Sequence, residues 1–464
     1  MESKSFNRRW NKKDNKRGKI KMTKQEQLKQ EILQKTKEYY ELVHKPVQER
    51  KFVDGESRVN YAGRVFDETE IQYLVDSSLD FWLTYGDYSK KFEKQLSKYL
   101  GVRWAFLVNS GSSANLLAFY SLTSPLLKER QVKRGDEVIT VAAGFPTTVA
   151  PIVQYGAVPV FVDMDLTYAN VDVTQLELAL SPKTKAIMIA HSLGNPFNLR
   201  AVKEFCDKHN LWLIEDNCDA LGSTYEGKPT GTWGDIGTSS FYPPHHMTMG
   251  EGGATYTDNL LLKKIMLSMR DWGRDCWCES GIDNTCGCRF SQSFGTLPKG
   301  YDHKYVYSHF GFNLKVSDMQ AAIGCAQLEK FPTFVEKRKE NQKKLYDGLK
   351  DLEQLHLVET QPNSDPSWFG FMMTLKDGVN FTRNELVEFL EANKIQTRNL
   401  FAGNMTRHPM FDCMVLNQDY RIVGDLKVTD KIMNDSFWIG LYPGMGDDAI
   451  NYMVKKIREF VQSK

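Results

Sequence analysis

The chain has 464 residues, 41% of them hydrophobic and 25% charged, with a formal charge of +2 at neutral pH. That length exceeds one ordinary core and predicts a large domain with a smaller companion. The near-zero charge gives no global attraction to nucleic acid. No run of ~18 apolar residues predicts a membrane span, and the charged N-terminus lacks the apolar stretch of a secretory signal, which predicts a cytoplasmic protein. Residues 1–22 are the exception in charge, with nine Lys/Arg against two acids. They read as a solvated tail, with a polyanion-binding arm as the alternative.

Residues 23–44 carry apolar positions at helical spacing and predict an amphipathic helix. With the tail they make up an N-terminal segment over 1–54. The stretch AFLVNSGSSANLLAFYSL then reads as an apolar strand at 105–108 that breaks at Asn109–Ser113 into a helix. A Gly/Ser turn at a helix start leaves backbone N–H groups facing outward and favours an anion. Gly111, Ser112 and Ser113 are therefore candidates for a phosphate cradle, with a plain helix cap as the competing reading. Residues 136–164 read as strand, helix, strand, and Phe145 falls just after the first strand. Two more strands, 185–190 and 211–216, continue the alternation and predict a mostly parallel sheet. In such sheets ligands bind at the carboxyl ends of the strands. Asp216, which closes the apolar run WLIED, sits at that edge. The segment 236–242 brings Ser240 to the same edge, followed by His245, His246 and the turn Gly250–Gly253.

This order, an ED pair followed by a serine–aromatic segment and a GEGG turn, resembles the DegT/DnrJ/EryC1/StrS sugar aminotransferase and dehydratase branch of the fold type I pyridoxal-phosphate enzymes. The resemblance implies an α/β fold with a large, mostly parallel cofactor-binding domain over 55–325 and a smaller α+β domain over 326–464. In that branch a lysine ahead of GEGG forms a Schiff base with the cofactor. Here His245 occupies the position, and an imidazole cannot form that bond. The resemblance then implies the subgroup that uses pyridoxamine phosphate, with His245 as the base and His246 as an orienting neighbour. It also implies that Asp216 pairs with the pyridine nitrogen, that Gly111–Ser113 and Ser240 hold the phosphate, and that Phe145 stacks on the ring. Asp219 replaces a polar residue that contacts the ring hydroxyl. Asn313, in the GFN turn before a helix, would reach the phosphate of a neighbouring subunit, which implies a homodimer. Residues 57–65 and 81–93 would line the sugar. Arg398, Asn404 and Arg407, in TRNLFAGNMTRHP, are further substrate candidates, with surface caps as the alternative.

The eight cysteines do not predict a disulfide framework in a cytosolic chain. Cys276, Cys278, Cys286 and Cys288 fall within the long loop 271–303, and loops of that length are functional or disordered. By spacing alone, zinc, an iron–sulfur centre and no metal all remain open, and the single-residue gaps suit zinc poorly. With Cys218, the pattern C-x57-C-x-C-x7-C is similar to that of the CDP-4-keto-6-deoxyglucose 3-dehydrase family. That similarity implies a [2Fe–2S] cluster on Cys218, Cys276, Cys278 and Cys286, with Cys288 as a rival ligand. Cys206, Cys325 and Cys413 read as buried thiols. The implied activity is removal of the C3 hydroxyl from a CDP-4-keto-6-deoxyhexose in 3,6-dideoxysugar and O-antigen biosynthesis, with electrons from a flavin/iron–sulfur reductase. A TDP- or GDP-sugar 3-dehydratase, a cluster-free dehydratase and a zinc-bearing inactive relative are the alternatives.

Overall fold

The computed structural model describes residues 22–278 and 281–464. All but the last residue of the basic tail lies outside them. The expected amphipathic helix runs over Lys24–Val43 and opens with a capping box, in which the Thr23 hydroxyl accepts from Glu26 N–H while the Glu26 carboxylate accepts from Thr23 N–H. Such a cap contributes about 1 kcal/mol.

The centre of the molecule is an eight-stranded sheet. Its first seven strands in the chain are β1 (Trp104–Val108), β2 (Glu137–Val141), β3 (Val158–Val162), β4 (Thr184–Ala190), β5 (Trp212–Asp216), β6 (Ile236–Ser240) and β7 (Gly253–Thr257). In space they lie in the order β1-β7-β6-β5-β4-β2-β3, and a two-residue strand, Arg421–Ile422, pairs parallel to β3 at the edge. The pairs from β6 through β3 are all parallel. β7 alone runs against its neighbours. Helices cover both faces, so the strands are buried along nearly their whole length rather than on alternate residues. All five residues of β5 are buried, and Leu213 and Ile214 each contribute roughly 1.5–3 kcal/mol of burial.

This topology brings the carboxyl ends of β1, β2, β4, β5 and β6 to one edge. Gly253 is paired with Val108 on one side and with Ser240 on the other. A Cβ at Gly253 would stand 2.3 Å from the Ser110 carbonyl oxygen, so the last glycine of GEGG is required for the turn after β1 to lie against β7.

A four-stranded antiparallel sheet forms the core of the C-terminal part, with Gly370–Leu375 and Ser436–Gly440 at its centre. The 32-residue helix Asp318–Leu349, entered through a Ser317–Gln320 capping box, runs across position 325 and joins the two parts. One buried cluster contains Ile187 and Leu213 of the large sheet together with Phe371 and Phe437 of the small one. The two sheets are therefore packed on each other, and the cleft between them is a fixed feature of the fold.

Candidate active site

Two acids close β5, and the strand's twofold alternation sends them to opposite destinations. Glu215 is fully buried and accepts hydrogen bonds from the backbone N–H groups of Gly231, Trp233 and Gly234 at 2.7, 2.7 and 2.6 Å. It anchors the turn before β6. Asp216 faces the cleft. Its Oδ2 accepts from Asn115 Nδ2 and Thr148 Oγ1, both at 2.7 Å, and its Oδ1 accepts from Cys218 N–H at 3.1 Å. The Asn115 amide is itself fixed by Thr238 Oγ1, which donates to its Oδ1 at 2.7 Å. A carboxylate oxygen that accepts one bond retains capacity for a further, cationic donor.

Beside Asp216 the helix Gly111–Ser121 points its N-terminus into the same cleft. Ser110 caps it, with Oγ accepting from Ser113 N–H at 3.0 Å. Gly111 and Ser112 line the cleft and carry first-turn N–H groups with no intrahelical acceptor. Gly111 is held close to β6: a Cβ there would lie 2.4 Å from Ser240 Cβ and 2.7 Å from its Oγ. A Gly111→Ala variant should therefore displace Ser240 and spread the anion cradle. We expect roughly tenfold weaker binding of a phosphorylated pyridine, read by fluorescence titration, with the melting temperature monitored as the control for folding.

His245 enters from the turn after β6. Its Nε2 lies 3.4 Å from Asp219 Oδ1, and its ring packs against Tyr242 and Phe369 with centroids 5.9 and 5.4 Å away. A carboxylate facing Nε2 favours the tautomer with a proton there, which leaves Nδ1 as the lone-pair nitrogen. Nδ1 is buried and has no hydrogen-bond partner among the described residues. Burial pushes the Asp219 carboxyl above its usual range, and His245 pulls in the opposite direction. His246 has a different role. It is buried, its Nε2 meets the Ser367 carbonyl at 2.7 Å, and desolvation together with Arg338 holds its basicity well below that of a free imidazole.

The cleft encloses about 720 Å³. Asp216, Asp219 and His245 lie at its base, and Tyr61, Phe145, Phe401 and Trp438 form aromatic walls. At the mouth, the Arg398 guanidinium stands 4.0 Å over the Tyr61 ring. Few polar groups converging within an otherwise apolar pocket is the usual form of a small-molecule site. The helix N-terminus, the buried Asp216 carboxylate and the His245 imidazole fit the phosphate, ring nitrogen and reacting side of a phosphorylated pyridine.

The structure thus brings Gly111, Ser112, Phe145, Asp216, Cys218, Ser240, His245 and Arg398 to one cleft. Ser113 stands behind it and completes the helix cap. Asn313 lies outside on an exposed turn, bridged through its backbone to Asp271. Asn404 and Arg407 are corrections to the sequence reading. Asn404 Nδ2 donates to Asp430 Oδ1 at 2.6 Å and Arg407 to Asp430 Oδ2 at 2.7 Å, and neither lines the cleft. Both side chains are used to hold the helix Lys427–Asp435. Cys413, read as buried, is exposed, whereas Cys206 and Cys325 are buried. Asn115 and Thr148 were missed. Each sits in the helix that follows a strand carboxyl end, and that placement was a usable signal. Phe369 and Trp438 come from the small sheet and have no local signature.

The four cysteines expected to share a cluster are divided. Cys276, Cys278 and Cys286 line a small cavity with Arg289 and His303, while Cys218 lines the cofactor cleft. Among the described residues, no three His, Cys, Asp or Glu side chains are placed so as to hold a metal ion. His303 lowers the Cys286 thiol to about 7, whereas burial and Asp216 hold Cys218 well above the usual thiol range. In this conformation the thiols are not gathered into a ligand set, and they do not fit a four-thiolate cluster.

A mostly parallel sheet with a helix start opening onto the cleft, an acid at a central strand end and a second sheet packed beside it defines a class: the fold type I architecture of pyridoxal-phosphate enzymes. A profile of the DegT/DnrJ/EryC1/StrS aminotransferase family matches residues 65–458, and the chain belongs to that family. It is 57% identical over 412 residues to the lipopolysaccharide biosynthesis protein RfbH of Salmonella typhimurium, covering 89% of this chain and 93% of that one. It is 49% identical over 433 residues to the dTDP-4-dehydro-2,6-dideoxy-D-glucose 3-dehydratase of Saccharopolyspora spinosa, covering 93% and 92%. Among solved structures it is similar to the E. coli GDP-4-keto-6-deoxy-D-mannose-3-dehydratase with bound hydrated PLP, with a TM-score of 0.77 and 29% identity over 86% of this chain and 99% of that one.

Proposed function

We propose that this chain is a 3-dehydratase that removes the C3 hydroxyl of a nucleotide-linked 4-keto-6-deoxyhexose, with pyridoxamine phosphate in the cleft. The observation that carries the reading is His245 in the cleft, with Asp219 on one ring nitrogen and the other buried and unpartnered, at the position where the motif resemblance expects the family's lysine. The relatives named as sugar 3-dehydratases support it. When bound, pyridoxamine phosphate supplies an amine that attaches to the ketone and a ring that withdraws electrons. The chain supplies the rest. Gly111, Ser112 and Ser240 hold the phosphate, Asp216 holds a proton on the ring nitrogen, and Phe145 covers the ring. His245 would serve as the base that takes a proton on the cofactor's reacting side, and Asp219 would keep the imidazole oriented while it carries that proton. The aromatic walls exclude water from the reacting side, and Arg398 at the mouth offers the cation a sugar nucleotide's diphosphate requires.

The proposed nucleotide is CDP, and a dTDP-linked sugar is the second reading, favoured by the 49% identical relative. The cysteine spacing supports a further element, a [2Fe–2S] cluster reduced by a flavin/iron–sulfur reductase. It requires the loop to bring Cys276, Cys278 and Cys286 up to Cys218. A homodimer is also proposed, since Asn313 lies outside its own cleft on an exposed turn, as a residue serving a neighbouring subunit would.

The activity is tested by incubating the protein with pyridoxamine phosphate and CDP-, dTDP- or GDP-4-keto-6-deoxyhexose, each with and without NADH and a flavin/iron–sulfur reductase as the electron source. Mass spectrometry should detect loss of the C3 oxygen, and no change with any of the three refutes the reading. The cluster is tested by iron and sulfide content and by EPR of protein purified without oxygen. The expected result is about one reducible [2Fe–2S] per chain, lost in Cys218→Ser. Iron-free protein that still binds pyridoxamine phosphate would leave a cluster-independent dehydratase.

A further inference from the structure

Among the described residues two arginines are buried, and one of them has a carboxylate within ion-pair distance. Arg270 is 4% exposed and meets Glu93 Oε1 at 2.9 Å, the usual arrangement for a buried cation. Arg338 is 1% exposed, and among the described residues no carboxylate lies within ion-pair distance of it. Its guanidinium instead gathers main-chain carbonyls. Nη1 donates to Leu441 O at 2.6 Å, Trp368 O at 3.0 Å and Phe369 O at 3.4 Å, and Nη2 donates to His245 O at 3.3 Å. Nε has no partner. Burial without a counter-ion holds this arginine down to about 9.

Keeping such a cation in the interior is costly, and an apolar side chain of similar volume would fill the space at less cost. The carbonyls it has gathered point to its use. Trp368 and Phe369 lead into the strand Gly370–Leu375, and Leu441 follows the strand Ser436–Gly440. These are the two central strands of the small sheet. The fourth carbonyl belongs to the proposed base. The same segment is tied to the histidine turn twice more, by Ser367 O to His246 Nε2 and by the Phe369 ring against both imidazoles. A planar fork of five donors is the side chain best suited to joining several fixed acceptors.

We propose that Arg338 is a positioning residue that fixes the main chain of His245 to the small sheet, so that the placement of the base is set by how the two parts of the molecule pack. The proposal rests on the reading of His245 as the base. Its formal charge faces the Asp219–His245 pair and His246, and it contributes to keeping Asp219 ionised against the cost of burial. Misplacing a catalytic group by about 1 Å costs roughly a hundredfold in rate without a matching loss of binding.

The test compares Arg338→Met, Arg338→Gln and Arg338→Lys in the full-length holoenzyme. Cofactor bound per chain is counted from absorbance, and kcat and KM are measured separately. Arg338→Met should keep one cofactor per chain and a KM within about threefold, with kcat reduced roughly a hundredfold. Arg338→Lys restores the donor and the charge and should recover at least tenfold of that loss. The Gln variant substitutes for Met if the latter does not fold. A wild-type kcat in Met or Gln overturns the proposal. So does a loss of kcat that only follows lost cofactor, or a Lys variant no better than the neutral ones. His245→Asn is measured alongside. If it remains active, the base assignment itself fails; if it is inactive while the Arg338 variants are unaffected, only the positioning role fails.

Discussion

Replacing His245 by asparagine is expected to lower dehydration by roughly 10²–10⁴-fold, the usual worth of a positioned general base. Asparagine retains the size and polarity of the side chain but has no nitrogen that can take a proton near neutral pH. The phosphate and ring contacts proposed above fall on Gly111, Ser112, Ser240 and Asp216, which line the cleft apart from His245, so binding should remain within a few-fold of wild type. Rate is read by mass spectrometry of the sugar nucleotide and binding by absorbance. His245→Lys separates base function from covalent chemistry. It should lose dehydration to a similar extent and, with pyridoxal phosphate, acquire Schiff-base absorbance. Unimpaired dehydration in either variant rules out His245 as the base.

The second large effect is expected at Asp216. This carboxylate accepts from Asn115 Nδ2, Thr148 Oγ1 and Cys218 N–H, so its two oxygens act only as acceptors toward the protein. Asp216→Asn keeps the shape but turns an amide NH2 toward donors, and it removes the charge that would hold a proton on the ring nitrogen. A hydrogen bond to a charged group is worth up to ~3 kcal/mol, so the expected loss of turnover is about a hundredfold or more. Asp216→Ala additionally leaves buried donors unpaired, at ~1–3 kcal/mol each. The measurements are turnover with pyridoxamine phosphate and the melting temperature of each apo variant. The Asn variant should lose activity while staying within a few degrees of wild type, and the Ala variant should lose both. An active Asn variant would show that Asp216 only organises the strand end.

Much of the site was legible because its residues lie at strand ends, where local pattern and global position coincide. An apolar run ending in Asp216 and a Gly/Ser turn opening a helix at Gly111 each mark the same sheet edge without knowledge of the rest, whereas Ser240 was marked by its place in the family's motif order. His245 could be singled out because it interrupts a recognisable order of motifs. The reading failed where a residue type had two uses and only its neighbours could decide between them. Asn404 and Arg407 looked suited to an anionic substrate, yet Asp430, on a helix more than twenty residues later, takes both. Glu215 and Asp216 are adjacent and identical in charge, and only the pleat and the turn at 231–234 make one a structural anchor and the other a site acid.

The sequence by itself determined the mostly parallel α/β sheet, the Gly/Ser turn that opens a helix at the sheet edge and the acid at the end of β5, because strand alternation, turn chemistry and helix polarity act over a few residues. The histidine was marked by its place in a motif order. Only the tertiary structure decided which atoms surround that histidine. Asp219 on Nε2, Phe369 against the ring and Arg338 on its carbonyl converge from separate elements, two of them about a hundred residues further along the chain. It also decided that Cys218 lies in the cofactor cleft while its spaced partners surround another cavity. Packing of the small sheet on the large one brings such groups together, and its energy comes from apolar burial, which is non-directional and leaves no local mark at the positions it unites.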